Sequence, residues 1–213
     1  LYSSLITFFI GIILFKSFRK KNMKLGIRQA FVLTITSWLV ISLFGAIPFV
    51  YTSSLLSYTD AFFESVSGIT TTGSTVISNL DYLSEGILIW RSLLQWFGGI
   101  GIIVLAMAIL PTLQIGGMQL LHMEHDDPYE KTIPKVNRFV LELFLLYVVL
   151  TMICGFLYFL NGMSVFDSTI HAMTTISTGG FSNHDQSFGY FDSIQIETVS
   201  VLFMIVGSLP FVV

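Results

Sequence analysis

The chain has 213 residues, of which 54% are hydrophobic and only 11% charged, and its mean hydropathy is +0.80. A soluble domain carries about 25% charged residues, so a water-soluble globular domain is excluded and the chain reads as an all-α integral membrane protein. The net charge of −3 decides little, because the charges are segregated along the sequence.

Residues 1–15 are apolar and are followed, not preceded, by basic residues. They read as the end of a membrane helix rather than a signal peptide. The chain starts at Leu1 and stops inside an apolar run, so both ends read as cut. Residues 29–51 contain no charge and are long enough to cross about 30 Å of hydrocarbon. Next comes a short apolar-polar segment, 58–70, which as a helix covers only about 18 Å and cannot cross. A second span runs over 87–111, with Arg91 near its start and Pro111 expected to end it. The linker 112–138 holds the cluster HMEHDD, with His122, Glu124, His125, Asp126 and Asp127. These could in principle bind a divalent metal, but they fit no standard ligand spacing and read as a solvated linker. A third span covers 139–160, with Glu142 near one end. A second short segment covers 165–177, and a fourth span starts near Asp192. The single cysteine, Cys154, lies in an apolar run and reads as a small buried hydrophobe.

Lysine and arginine set the orientation. Lys16, Arg19, Lys20, Lys21, Lys24 and Arg28 lie before the first full span, and Lys131, Lys135 and Arg138 lie in the linker; none lies in 52–86 or 161–192. The positive-inside rule puts the basic segments in the cytoplasm and both short segments outside, as re-entrant helices. Tyr51, Tyr58, Tyr82 and Trp90 suit an outer aromatic belt.

An internal repeat follows: span, short helix, polar turn, span. The first copy is 29–111 and the second is 139–213, truncated; 1–28 is the end of a preceding helix with its basic cytoplasmic segment. Ser57-x-x-Asp60 and Ser164-x-x-Asp167 both match a helix-start pattern. Gly73 stands sixteen residues after Ser57 and Gly179 fifteen after Ser164, preceded by Thr71-Thr72 and Ser177-Thr178. Irregular backbone at membrane depth survives only if buried in protein or lining water. A turn of threonine and glycine offers carbonyl and hydroxyl oxygens, and the short helix aims its partly negative C-terminal end at them. Such a site suits a dehydrated monovalent cation. The bland alternative is a re-entrant turn that only packs between helices, which a matched pair of loops disfavours.

These residues carry a family resemblance. AFFESVSGITTTGSTV, STIHAMTTISTGGFSNHD and WRSLLQWFGGIGIIVLAMAILP resemble the two pore loops and the helix after the first filter in the bacterial Trk-type membrane subunit of the Trk/Ktr/HKT potassium transporter superfamily. The resemblance covers nearly the whole chain and implies four span-pore-span repeats, of which this chain holds about two. It implies potassium uptake across the bacterial inner membrane, not enzymatic chemistry, and no covalently bound cofactor. The implied filter is Thr70, Thr71, Thr72 and Gly73 in the first loop and Ser177, Thr178, Gly179 and Gly180 in the second. The implied partners are a second copy, as a homodimer, and a cytosolic nucleotide-binding regulatory subunit; no nucleic acid is implied. A sodium- or proton-coupled symporter on the same fold is the alternative, and a metalloenzyme using the linker is the third reading.

Two further features need placing. The glycines of GGIGIIVLAMA (98–108) sit in a span after no strand, so close helix packing explains them better than a dinucleotide site. Glu64 and His171 lie in the short helices and Arg91 near the outer end of a span. Intramembrane ionisable groups are functional candidates, and Glu64 pairs with Arg91 as structural support of the filter unless each points to outer water.

Overall fold

The computed structural model describes residues 2–17, 27–51, 56–113 and 132–209. Every regular element among them is a helix, as expected for an all-α protein. They divide into two compact units, residues 1–66 and 67–213, and the division falls inside the first short helix. The cluster His122, Glu124, His125, Asp126 and Asp127 lies outside the described residues, as do Lys20, Lys21, Lys24 and Lys131.

In the first unit, α1 covers Tyr2–Ser17 and α2 Ile27–Gly45. The span expected over 29–51 is not one continuous helix. It breaks at Ala46 and resumes as α3, Ile47–Val50. Pro48 explains the break: it has no N–H to return to the preceding turn, and its ring crowds the carbonyl four residues back. Phe49 and Val50 instead both donate to the Ala46 carbonyl, at 3.1 and 3.3 Å. The hydroxyls of α2 are satisfied within the helix, Thr36 on Val32, Ser37 on Leu33 and Ser42 on Trp38, all at 2.7–2.8 Å. An apolar surround leaves them no other acceptor. Val32, Leu33, Ile35 and Leu39 stand exposed, as lipid-facing side chains would.

The first short helix, α4, is Tyr58–Ile69, 12 residues. The Ser57 hydroxyl accepts the Asp60 N–H at 3.2 Å and donates to the Asp60 carboxylate at 2.7 Å. The acid therefore engages the cap hydroxyl itself and adds negative charge at the positive helix end.

Among its described residues the second unit holds four further α-helices: α5 (Glu85–Leu113), α6 (Thr132–Leu160), α7 (Val165–Ile176) and α8 (Ile194–Ser208). Helix α5 continues two residues past Pro111, so that proline sits in its last turn and does not end it. Helix α7 is again 12 residues long and begins with the same device, Ser164 accepting from Asp167 N–H at 3.0 Å and donating to its carboxylate at 2.7 Å. It packs against α5, α6 and α8. The core beneath it is Tyr147, Cys154 and Tyr158 of α6, Ala172 and Ile176 of α7, with Met163 and Ile196. Cys154 is fully buried there as a free thiol. Two tyrosine hydroxyls tie the packing together: Tyr147 donates to the Trp96 carbonyl at 3.1 Å, and Tyr158 bonds the Thr175 hydroxyl at 2.8 Å. The other face of α6, including Leu145, Met152, Phe156 and Phe159, is exposed.

Two glycines let long helices pass close to the last residues of the short ones. A Cβ on Gly98 of α5 would overlap the Ile69 carbonyl oxygen, and one on Gly207 of α8 would stand 2.6 Å from the Ile176 carbonyl oxygen. Ile69 and Ile176 are the last residues of α4 and α7. Gly98, the first glycine of 98–108, thus serves close packing against the carbonyl at the mouth of the first polar loop, and Gly207 does the same at the second.

Candidate functional site

The two polar loops share one backbone path. Thr71 and Thr178 take φ of +56° and +52°, and Gly73 and Gly180 both take +78°. Thr71 N–H bonds the Gly68 carbonyl at 2.9 Å, and Thr178 N–H bonds that of Thr175 at 3.0 Å. Thr72 N–H reaches Ser67 at 3.0 Å, and Gly179 N–H reaches Thr174 at 2.9 Å. Each residue therefore has its counterpart 107 positions later, from the Ser57 and Ser164 caps onward.

This corrects the matching expected from sequence by one residue. Gly73 corresponds to Gly180 and not to Gly179, Thr71 to Thr178, Thr72 to Gly179 and Thr70 to Ser177. The two glycines of the second loop have different physical reasons. Gly180 supplies the left-handed backbone that a side chain disfavours. At Gly179 φ is ordinary, but a Cβ would fall on the side-chain amide of Gln95. In the first loop, Thr72 keeps a side chain and its hydroxyl pairs with that of Thr70 at 2.8 Å. Thr70, Thr72, Thr178 and Gly180 are exposed, Thr71 and Gly73 are partly so, and Ser177 and Gly179 are buried.

The loops meet each other directly. A Cβ on Gly73 would overlap the Gly179 carbonyl oxygen, and its next neighbour would be Gln95 Nε2 at 3.7 Å. Gln95 is fully buried on α5, the helix that follows the first loop, yet it serves the second. Its Nε2 donates to the Gly179 carbonyl at 2.9 Å, and its Oε1 accepts from Phe181 N–H at 3.1 Å. One turn earlier on α5, Arg91 donates to the Ser182 carbonyl at 2.8 Å and to the Thr75 hydroxyl at 3.2 Å, with its guanidinium 4.3 Å from the Phe181 ring centroid. Arg91 thus touches the chain beyond both loops. Glu64 is fully buried on α4 but belongs to the other compact unit, so its expected pairing with Arg91 stands as a proposal.

His171, buried in α7, braces the same loop. The Asp167 carbonyl, 2.9 Å from Nδ1, can only accept, so Nδ1 carries the proton and Nε2 accepts from the Ser182 hydroxyl at 3.1 Å. Above it lies an outer polar cluster. His184 donates through Nδ1 to Asp81 and stacks on Tyr190, Asn183 donates to Asp167, and Asp185 accepts from Leu80 N–H at 3.1 Å. The His184 hydrogen bond holds the Asp81 carboxyl below the usual aspartate range. The sequence pointed to Arg91 and His171 as buried ionisable groups but missed Gln95. Its signal was available: an amide inside an apolar span, four residues after Arg91 and hence on the same helix face.

The site therefore offers two matched oxygen-bearing turns, each at the partly negative end of a 12-residue helix, with buried Gln95 and His171 bracing the second and Arg91 bridging the chain beyond both. Comparison with known proteins identifies the family. The sequence model of the family described as "TrkH: Cation transport protein" matches residues 2–213. The chain is 47% identical over 185 residues to the Trk system potassium uptake protein TrkI of Halomonas elongata, covering 86% of this chain and 38% of that protein. It is 45% identical over 201 residues to the Trk system potassium uptake protein TrkH of Escherichia coli K12, covering 93% and 42%. The crystal structure of the potassium transporter TrkH from Vibrio parahaemolyticus superposes with a TM-score of 0.82 at 40% identity, covering 96% of this chain and 41% of that one. The chain thus spans about two fifths of the length of these curated relatives. With a match along its full helical length, it belongs to the TrkH family of cation transport proteins, which are membrane proteins.

Proposed function

We propose that this chain forms two pore loops of a protein that takes up potassium across the bacterial inner membrane, with Thr70, Thr71, Thr72 and Gly73 facing Ser177, Thr178, Gly179 and Gly180 around the ion. One observation carries the reading: the same turn, with φ of +78° at Gly73 and Gly180, occurs twice and the two copies touch. Backbone and hydroxyl oxygens replace the water a cation sheds, and the C-terminal ends of α4 and α7 add negative potential at the same place. The relatives' printed function, potassium uptake, supports potassium as the ion. The division into repeats 29–111 and 139–213 belongs to this reading. So do the outward-facing loops, the cytoplasmic basic segments 16–28 and 112–138, a homodimer and a cytosolic nucleotide-binding partner on 112–138.

The test is electrical, on the full-length protein. A current that reverses at the potassium equilibrium potential supports conduction through the filter. A reversal potential that moves with external pH or sodium would instead mean coupled symport.

A further inference from the structure

We propose that Gln95 is a positioning residue for ion selection, its side-chain amide setting the second loop and backing the first. The inference rests on the filter reading above and adds a residue outside both loops. The Gly179 carbonyl can only accept and the Phe181 N–H can only donate, so both ends of the Gln95 amide are fixed in orientation, at 2.9 and 3.1 Å. The contact is fully buried, and burial makes such bonds stiff because nothing else can replace them. Gly179 lacks a Cβ where that amide lies, and Gln95 Nε2 is 3.7 Å from where a Gly73 Cβ would be. The Gln95 side chain therefore fixes the second loop at the point where it meets the first. It holds Gly179 as the anchor and leaves Thr178 and Gly180 as the exposed residues of the second turn.

The clamp is not repeated. Gly207 of α8 meets Ile176, the last residue of α7, as Gly98 of α5 meets Ile69, the last residue of α4, and the two glycines are 109 positions apart. At that spacing the counterparts of Arg91 and Gln95 are Ser200 and Met204; Met204 has no donor for a carbonyl, and the short Ser200 hydroxyl lacks the reach of a guanidinium. The amide hold on the second loop thus comes from the helix that follows the first, beside the brace from His171 of α7.

The test uses the full-length transporter in cells lacking other potassium uptake, with potassium, rubidium and sodium uptake normalised to protein in the membrane. Gln95→Met keeps the length and removes both hydrogen bonds. It should lower the potassium-to-sodium uptake ratio about tenfold, equivalent to about 1.4 kcal/mol. Gln95→Glu keeps the acceptor for Phe181 but sets a carboxylate against the Gly179 carbonyl. Its ratio should be low at neutral pH and recover, relative to wild type, as external pH falls and the protonated acid donates again. Gly73→Ser serves as the filter control. An unchanged ratio in both Gln95 variants, with the Gly73 variant altered, overturns the clamp and leaves the filter standing. Equal loss for all three ions with no change in ratio also overturns it, because Gln95 would then be structural only. Unchanged ratios in all three variants remove the filter reading and the clamp with it. If Gln95→Met fails to reach the membrane, the pH rescue of Gln95→Glu decides.

Discussion

Replacing Gly73 by serine perturbs the loop in two separable ways. At φ +78°, a residue with a Cβ loses about 1–2 kcal/mol relative to its preferred backbone. The Cβ would also overlap the Gly179 carbonyl oxygen, which cannot simply retreat because Gln95 holds it at 2.9 Å. The strain is relieved by rotating the Gly73 peptide, which turns a carbonyl away from the ion, or by pushing the second loop outward. On the filter reading proposed above, either change removes oxygen contact from a dehydrated ion. Potassium, held by those oxygens, should lose more than sodium, which can keep part of its water. Since about 1.4 kcal/mol is a factor of ten, the potassium-to-sodium uptake ratio should fall at least about tenfold. Ser74, the next residue, is exposed, and Ser74→Ala should leave the ratio near wild type. Both are read by ion uptake into cells without other potassium transporters, with membrane levels matched by immunoblot. A Gly73→Ser protein present at normal level with an unchanged ratio would refute the assignment of this loop to the filter.

Other perturbations follow from the same geometry. Gly98→Val should cost about 1–3 kcal/mol by overpacking α5 against the Ile69 carbonyl, seen as a lower melting temperature of the purified full-length protein; an unshifted melt would show that the contact is slack. Asp81 lies below the ordinary aspartate range because of His184, so its stabilising effect is complete above about pH 4 and is lost as pH falls through its lowered folded value. The stability gap between wild type and Asp81→Asn should accordingly close in acid, and a gap independent of pH would contradict this. With Cys154 replaced, cysteines at Asn79 and Gln186, both exposed, should react with an impermeant reagent from outside intact cells, and one at Met123 should not; labelling of the first two from opposite sides would mean that 58–86 crosses the membrane. Asn183, the more obvious choice in sequence, is buried and would label poorly for that reason alone. A Glu64/Arg91 double-mutant cycle should give coupling above about 0.5 kcal/mol, and additivity would discard the pair.

Much of this organisation was legible because membranes impose crude rules. A span must be long and apolar, and a 12-residue helix cannot be one, so α4 and α7 stood out with their Ser-x-x-Asp starts. The loop register was harder. Gly179 and Gly180 are adjacent, and sequence does not say which supplies a left-handed turn and which only makes room. Counting from the two cap serines, 107 apart, would have favoured Gly180. The α2–α3 break was written in Pro48, but a span chosen by hydropathy alone reads straight through it. Gln95 was the least visible. An amide in an apolar span marks it as a buried polar group, but its partner is a loop 84 residues away, which no local pattern encodes.

The contact between the loops also has a direction. Gly73 of the first meets Gly179 of the second, but Thr72, the counterpart of Gly179, does not meet Gly180 in return. A two-fold axis would demand that reciprocal contact, since a self-complementary patch pairs each residue both ways. The observed contact is head-to-tail, and Arg91 and Gln95 reach forward in the same sense. Units joined head-to-tail are not complete as a pair: each leaves one face used and one face free, and only rotation about a common axis lets the last unit return to the first. The direction of that glycine-to-carbonyl approach therefore does not fit a two-fold pair of loops, and it is the kind of contact that the ring of loops in the proposed filter would repeat.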